Sequence, residues 1–216
     1  MNLLYLAVNF FFPEKCALCK EWLNLIENPP LCRKCSGRLE FMPHKNTLKN
    51  IVLYSILTYR DDAAELIQQM KYGKYIKVGR FLGRKLGEYL LEEKIAPRFH
   101  LLVPIPLHPS REQERGFNQS LVIAQELKKI LHIPVEYRQL KRIRNTPTQT
   151  DLTPSERTEN ISEAFKAGDR FAGRNILLVD DVATTGATLT EARKALRNAG
   201  AKEVEAACLC RPEKIY

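Results

Sequence analysis

The apolar positions of this chain change period several times, and each change marks an element. Asn175 to Val179 form a short apolar run, and from Leu189 to Leu196 the apolar residues recur at three and four, so a strand, a turn and an amphipathic helix are predicted. From residue 101 the order is strand (LLVPIP), loop (LHPSREQERGFNQ), helix (SLVIAQELKKIL), strand (IPVEY), a long polar stretch, then that strand, loop and helix, and EVEAACLC as a closing strand. Strands alternating with helices predict an α/β fold, a mainly parallel sheet flanked by helices. Gly200 is placed as the C-terminal cap of the last helix.

Helices are also predicted before residue 101. Ala63, Leu66, Ile67 and Met70 make a core-facing stripe behind an Asp62–Glu65 capping signature. A second helix over KYIKVGRFLGRKLGEYLLEEK carries Gly79, Gly83 and Gly87 at four-residue spacing, which lets another helix approach closely; the intervening Lys and Arg exclude a membrane span. At the start, Leu3, Leu6, Ala7, Phe10 and Phe11 fall on one helical face, expected to lie on the protein's own core. That opening is too short to cross a bilayer and lacks a basic secretory start, so no membrane span and a cytoplasmic location are expected.

Cysteine changes the picture near the N-terminus. CALC and CRKC place Cys16, Cys19, Cys32 and Cys35 as two Cys-x-x-Cys pairs, a spacing that brings four thiolates to one tetrahedral Zn2+. In a reducing compartment a structural zinc is favoured over disulfides or a redox dithiol, because no strand-to-helix context surrounds either pair. The pattern breaks near Pro43, which divides the chain into a ribbon-like zinc module over 1–42 and a main domain over 43–216. Cys208 and Cys210 are in strand phase and are expected to face the core. The net charge of +9 favours an anionic partner, nucleic acid or a phosphorylated small molecule.

Three loops carry candidate chemistry. In VDDVATTGAT, adjacent Asp180 and Asp181 repel each other and add nothing to a core, so they are expected to meet hydroxyls or a cation. Thr184, Thr185, Gly186, Ala187 and Thr188 follow at the strand-to-helix turn, where backbone N–H groups, hydroxyls and the helix dipole suit a phosphate. The glycines of a dinucleotide site and the Gly-Lys-Ser/Thr of a P-loop are missing. A receiver domain needs further strands, with a phosphorylatable Asp and a Lys, and little chain remains for them. Arg111 and Arg115, four apart in the second loop, are candidate pyrophosphate clamps. The third loop, LKRIRNTPTQTDLTPSERTEN, carries Lys141, Arg142, Arg144, Thr146, Gln149 and Arg157, a basic set suited to a lid over an anion.

The double-acid segment closely resembles the phosphoribosyl pyrophosphate (PRPP) motif of type I phosphoribosyltransferases. Together the paired Cys-x-x-Cys, RGFNQ at 115–119, TPTQ at 146–149 and ILLVDDVATTGATL resemble the ComF (ComFC/GntX) family of competence-associated phosphoribosyltransferase-like proteins. The resemblance implies the type I phosphoribosyltransferase fold, with PRPP and Mg2+ at Asp180, Asp181 and Thr184–Thr188. Arg111, Arg115, Arg142 and Arg144 would stabilise the leaving pyrophosphate. It further implies a role in the uptake of transforming DNA, binding of single-stranded DNA, and a DNA-uptake helicase or recombination mediator as protein partner. For a base-stacking role toward DNA, Tyr72, Tyr75 and Phe117 are the candidates. The alternative is an enzyme of nucleotide metabolism that transfers phosphoribose from PRPP to an acceptor.

Overall fold

A computed structural model describes residues 14–23, 30–73, 75–144 and 164–212. The expected N-terminal helix and the third-loop residues Thr146, Pro147, Gln149 and Arg157 lie outside the described residues. The helices are α1 (Arg33–Arg38), α2 (Asp61–Lys71), α3 (Ile76–Glu92), α4 (Pro109–Arg115), α5 (Gln119–Leu131) and α6 (Ala187–Asn198). The strands are β1 (His44–Leu48), β2 (Ile51–Thr58), β3 (Leu101–Pro104), β4 (Leu140–Arg142), β5 (Phe165–Ala167), β6 (Asn175–Val182) and β7 (Glu203–Arg211).

The main sheet has the order β1-β2-β7-β6-β3, with β2, β7, β6 and β3 parallel and β1 antiparallel at the edge. Two apolar cores lie on its two faces, as a mostly parallel sheet requires. On one face α3 and α5 pack against each other at the expected glycines. A Cβ on Gly83 would stand 3.3 Å from the Ile123 Cα, and one on Gly87 2.6 Å from the Ile130 Cδ1. On the other face α6 buries Ala187, Leu189, Ala192 and Leu196. Cys208 and Cys210 are both fully buried, and Gly200 follows α6 at φ +86°.

Three expectations change. Helix α2 begins after Arg60 without a side-chain cap; Asp62 binds the Arg38 guanidinium instead, and Glu65 accepts from Gln69. The loop after β3 contains the helix α4, started by the His108 side chain and Pro109 and ended by Gly116 at φ +79°. The run IPVEY gives no full strand, only a bridge between Val135 and Leu102.

Candidate functional site

In an open parallel sheet, ligands collect beyond the carboxyl ends of the strands. There the chain leaves a cleft of about 420 Å³, bounded by Tyr59 after β2, Ile105 and Leu107 after β3, and Asp180 and Asp181 at the end of β6. Arg111, Arg115, Arg142, Thr184 and Thr188 complete much of its wall. Thr185, Gly186 and Ala187 form the turn behind that wall. Gly186 stands at φ +73° with the Leu48 Cδ2 only 2.8 Å from where a Cβ would be, so both backbone and space demand glycine. The Thr185 hydroxyl accepts from the Ala187 N–H, and Thr190 donates back to the Gly186 carbonyl, which fixes the start of α6. Arg144 is exposed after β4 and is not in the wall of this cleft; Lys141 faces a neighbouring groove.

The two acids differ in partners. Asp180 Oδ1 accepts from the Ser120 hydroxyl at 2.9 Å and from the Asp181 N–H at 2.9 Å. Burial and the adjacent Asp181 nevertheless push the Asp180 carboxyl up to about 7. Asp181 instead pairs with the Lys71 ammonium at 3.1 Å. Burial works against the Lys71 charge, but Asp181 outweighs it and holds the lysine above its usual range.

Across the cleft the cations crowd. Burial, then Arg115, lowers Arg111; burial, then Arg111, lowers Arg142. Guanidinium groups gathered against their own repulsion suit a polyanion, which they bind as bidentate forks. Arg115 is aimed by two contacts, a hydrogen bond to the Gln119 Oε1 at 3.1 Å and the Tyr72 ring beneath it at 5.4 Å. Gln119 is 1% exposed and its Nε2 has no partner among the described residues, a buried donor in the cleft wall. Asn118 caps α5 through the Ser120 and Leu121 N–H groups and donates to the Ile105 carbonyl, tying the helix to the loop after β3.

No spacing in the sequence links Lys71 or Ser120 to the acids, and Tyr72 is expected only as a base-stacking candidate. Of the three candidate stacking residues, Tyr72 is in the cleft under Arg115, whereas Tyr75 and Phe117 pack against the core.

The cysteines form a second site. All four Sγ atoms lie within 4.8 Å of one another, and Cys19 and Cys32 stand 3.8 Å apart. Bonds of ~2.3 Å to a central tetrahedral ion put thiolates about 3.8 Å apart, so the four sulfurs fit the donor set of a metal ion. Backbone N–H groups point at them, Cys32 N–H to Cys16 Sγ and Cys35 N–H to Cys32 Sγ. Burial raises the Cys16 thiol, but such donors outweigh it and bring it down to about 7; burial and the neighbouring thiols push Cys35 up to about 12. Cys32 also caps α1, so one pair does stand at a helix start.

Among known proteins, the Phosphoribosyl transferase domain family matches residues 118–214, which include Asp180, Asp181 and the turn to α6. Competence protein F of Haemophilus influenzae is 32% identical over 203 residues, 88% of this chain and 89% of that protein. DNA utilization protein YhgH of Escherichia coli is 33% identical over 162 residues, 74% and 71%. Competence protein ComFC of Bacillus subtilis is 34% identical over 148 residues, 68% and 58%. A purine phosphoribosyltransferase from Pyrococcus horikoshii superposes with a TM-score of 0.39 at 20% identity, covering 61% of this chain and 73% of that one. With that identity maintained over most of its length, and the acidic pair and phosphate-type turn in place, the chain belongs to the ComF family of competence-associated phosphoribosyltransferase-like proteins.

Proposed function

We propose that the chain binds PRPP with Mg2+ in the cleft at the carboxyl ends of β2, β3 and β6, and that it serves the handling of single-stranded DNA during uptake. The observation that carries this reading is the division of one cleft into an acidic wall, Asp180 and Asp181, and a cationic wall, Arg111, Arg115 and Arg142. Ribose hydroxyls donate to the acids, the 5′-phosphate takes the Thr184–Thr188 turn, and the pyrophosphate meets the arginines. The acids also suit a divalent cation: burial and the adjacent Asp181 push the Asp180 carboxyl up to about 7 even with the Lys71 ammonium beside the pair, so the ionised form would be favoured by a further positive charge there. Asp180 and Asp181 would hold it, and it would supply charge neutralisation for the pyrophosphate. Gln119 Nε2, a buried donor without a partner among the described residues, is available to a ligand in the cleft. The DNA role is supported by the names of the relatives, Competence protein F and DNA utilization protein, and by the charge of +9. The four cysteines hold one structural Zn2+ in this reading.

Titration calorimetry with PRPP and Mg2+ tests the ligand. The expected result is saturable binding that weakens at least about tenfold in Asp180→Asn/Asp181→Asn, since each lost charged hydrogen bond costs ~1.5–3 kcal/mol. Equal affinity in the double variant would remove the acids from the site.

A second reading is favoured by the arginine cluster: charge develops on a departing pyrophosphate, and three guanidinium groups in the wall of the cleft would suit it. The chain would then be a phosphoribosyltransferase in which an acceptor displaces pyrophosphate at the anomeric carbon. Acceptor-dependent pyrophosphate release, lost in Arg115→Gln, would establish it; no release with any nucleobase would leave the binding role.

A further inference from the structure

Beside the cleft lies a second depression of about 760 Å³, between the loop before α4 and the two-stranded β4–β5 ribbon. The two share Leu107 and Arg142 in their walls. Its charge is one-sided: Arg138, Lys141, Arg142 and Lys166 line it against a single acid, Glu112, among the described residues. Within the ribbon Lys141 is paired directly across from Lys166. Directly opposed residues hold their Cβ atoms only about 5 Å apart, where like charges destabilise the ladder. No carboxylate among the described residues comes within ion-pair distance of Lys141, Lys166 or Arg138; Glu136, the acid nearest Arg138 in sequence, pairs with Arg170 instead. Two lysines facing each other on a minimal ribbon, with no carboxylate to compensate them among the described residues, make sense where an external anion bridges them.

The depression also carries apolar surface that a simple phosphate site does not need. Tyr137 is 48% exposed and Ile143 55% exposed, both in its lining. Arg138 holds the Tyr137 ring from one side at 5.2 Å and leaves a ring face to solvent. Cations tracking a backbone beside an exposed aromatic face are what an unpaired strand recognises; a duplex, with its bases stacked inside, would use only the charges. We infer that this groove holds a segment of single-stranded DNA, its phosphates on Lys141, Lys166 and Arg138 and a base on Tyr137. The inference rests on the DNA-handling reading above and supplies the face that bears it. The strand runs alongside the PRPP cleft, with Arg142 common to both.

The test is fluorescence anisotropy with a labelled oligothymidylate on the full chain, in parallel with calorimetry for PRPP and Mg2+. Tyr137→Ala/Arg138→Gln/Lys166→Gln removes the stacking face and two charges, none of them in the PRPP cleft. The oligothymidylate should bind at least about tenfold more weakly to this variant. The log–log salt slope should become shallower by about 1.4, from ~0.7 per lost phosphate contact. PRPP affinity should stay within about twofold of wild type. Wild-type DNA affinity and slope in the folded variant would overturn the groove while leaving the DNA reading intact. No wild-type DNA binding even at low salt would overturn both. A parallel loss of PRPP and DNA affinity would put the strand in the cleft instead, and equal affinity for a duplex would remove the base on Tyr137. Lys166→Gln alone gives an independent readout: with the cross-strand repulsion relieved, its low-salt Tm should equal or exceed that of wild type, and a fall would mean the lysine pair is internally satisfied.

Discussion

Asp180 sits where the folded chain disfavours its charge. Its carboxyl is pushed up to about 7, chiefly by burial and then by Asp181, against an unfolded value near 3.9. A carboxyl raised in this way stabilises the fold only while protonated: the contribution is full below about pH 4 and is lost as pH rises to about 7. Asp180→Asn keeps an acceptor for the Ser120 hydroxyl and removes the charge, so without ligand it should melt above wild type at pH 8, with the difference shrinking toward pH 5. A gain of ~2–4 °C corresponds to about 1 kcal/mol in a chain of this size. A variant less stable than wild type at pH 8 would mean the charge is already compensated, with Lys71 as the compensator. The acids and the threonine turn were readable because their chemistry is local: adjacent carboxylates after an apolar strand serve no core. Ser120 reaches Asp180 from 60 residues away, and Lys71 reaches Asp181 from the end of α2, so only the packing of α2 and α5 on the sheet reveals them.

The contact between α3 and α5 shows how spacing turns into energy. Three glycines on one face of α3 meet different neighbours: a Cβ at Gly79 would press on the flexible Met70 Sδ, one at Gly87 on the Ile130 Cδ1, but one at Gly83 on the Ile123 Cα and the Glu126 Cβ. Side-chain ends can rotate away; backbone cannot. Replacing a helical glycine by alanine gains up to ~1 kcal/mol of helix propensity, whereas overpacking costs ~1–3 kcal/mol. Gly83→Ala should therefore lower Tm the most of the three, by thermal melts under one buffer, and the order would be refuted if Gly79→Ala or Gly87→Ala were the worst. Amphipathic helices such as α2, α3, α5 and α6 were legible because each buries one stripe. Strand β2 reads IVLYSILT, apolar almost throughout because both faces are covered, so no alternation announces it. Helix α4 is one short turn-like element in a charged segment, held by a cap at each end rather than by a stripe.

At the scale of the whole molecule, the cysteine segment is joined to the rest through its packing. Cys16, Ala17, Leu31, Cys35 and Leu39 are buried in the same apolar cluster as Leu66, Ile67, Leu82 and Leu209. Outside that cluster, Arg38 of α1 pairs with Asp62 of α2 at 3.1 Å, and Lys77 of α3 pairs with Glu14. The Cys-x-x-Cys spacing announced a cluster of four thiols but not this continuity, because the break near Pro43 looks the same in sequence whether or not the flanking apolar residues share a core. If the sulfurs hold a structural zinc, that metal supplies folding free energy directly, and a shared core spreads its loss over the chain. Elemental analysis should then find about one zinc per chain. Chelation, or Cys32→Ser/Cys35→Ser, should lower the Tm of the entire protein in a single calorimetric transition. An early minor transition followed by an unshifted main one would make residues 1–42 an independent unit, and melting indifferent to chelator would dismiss the structural metal.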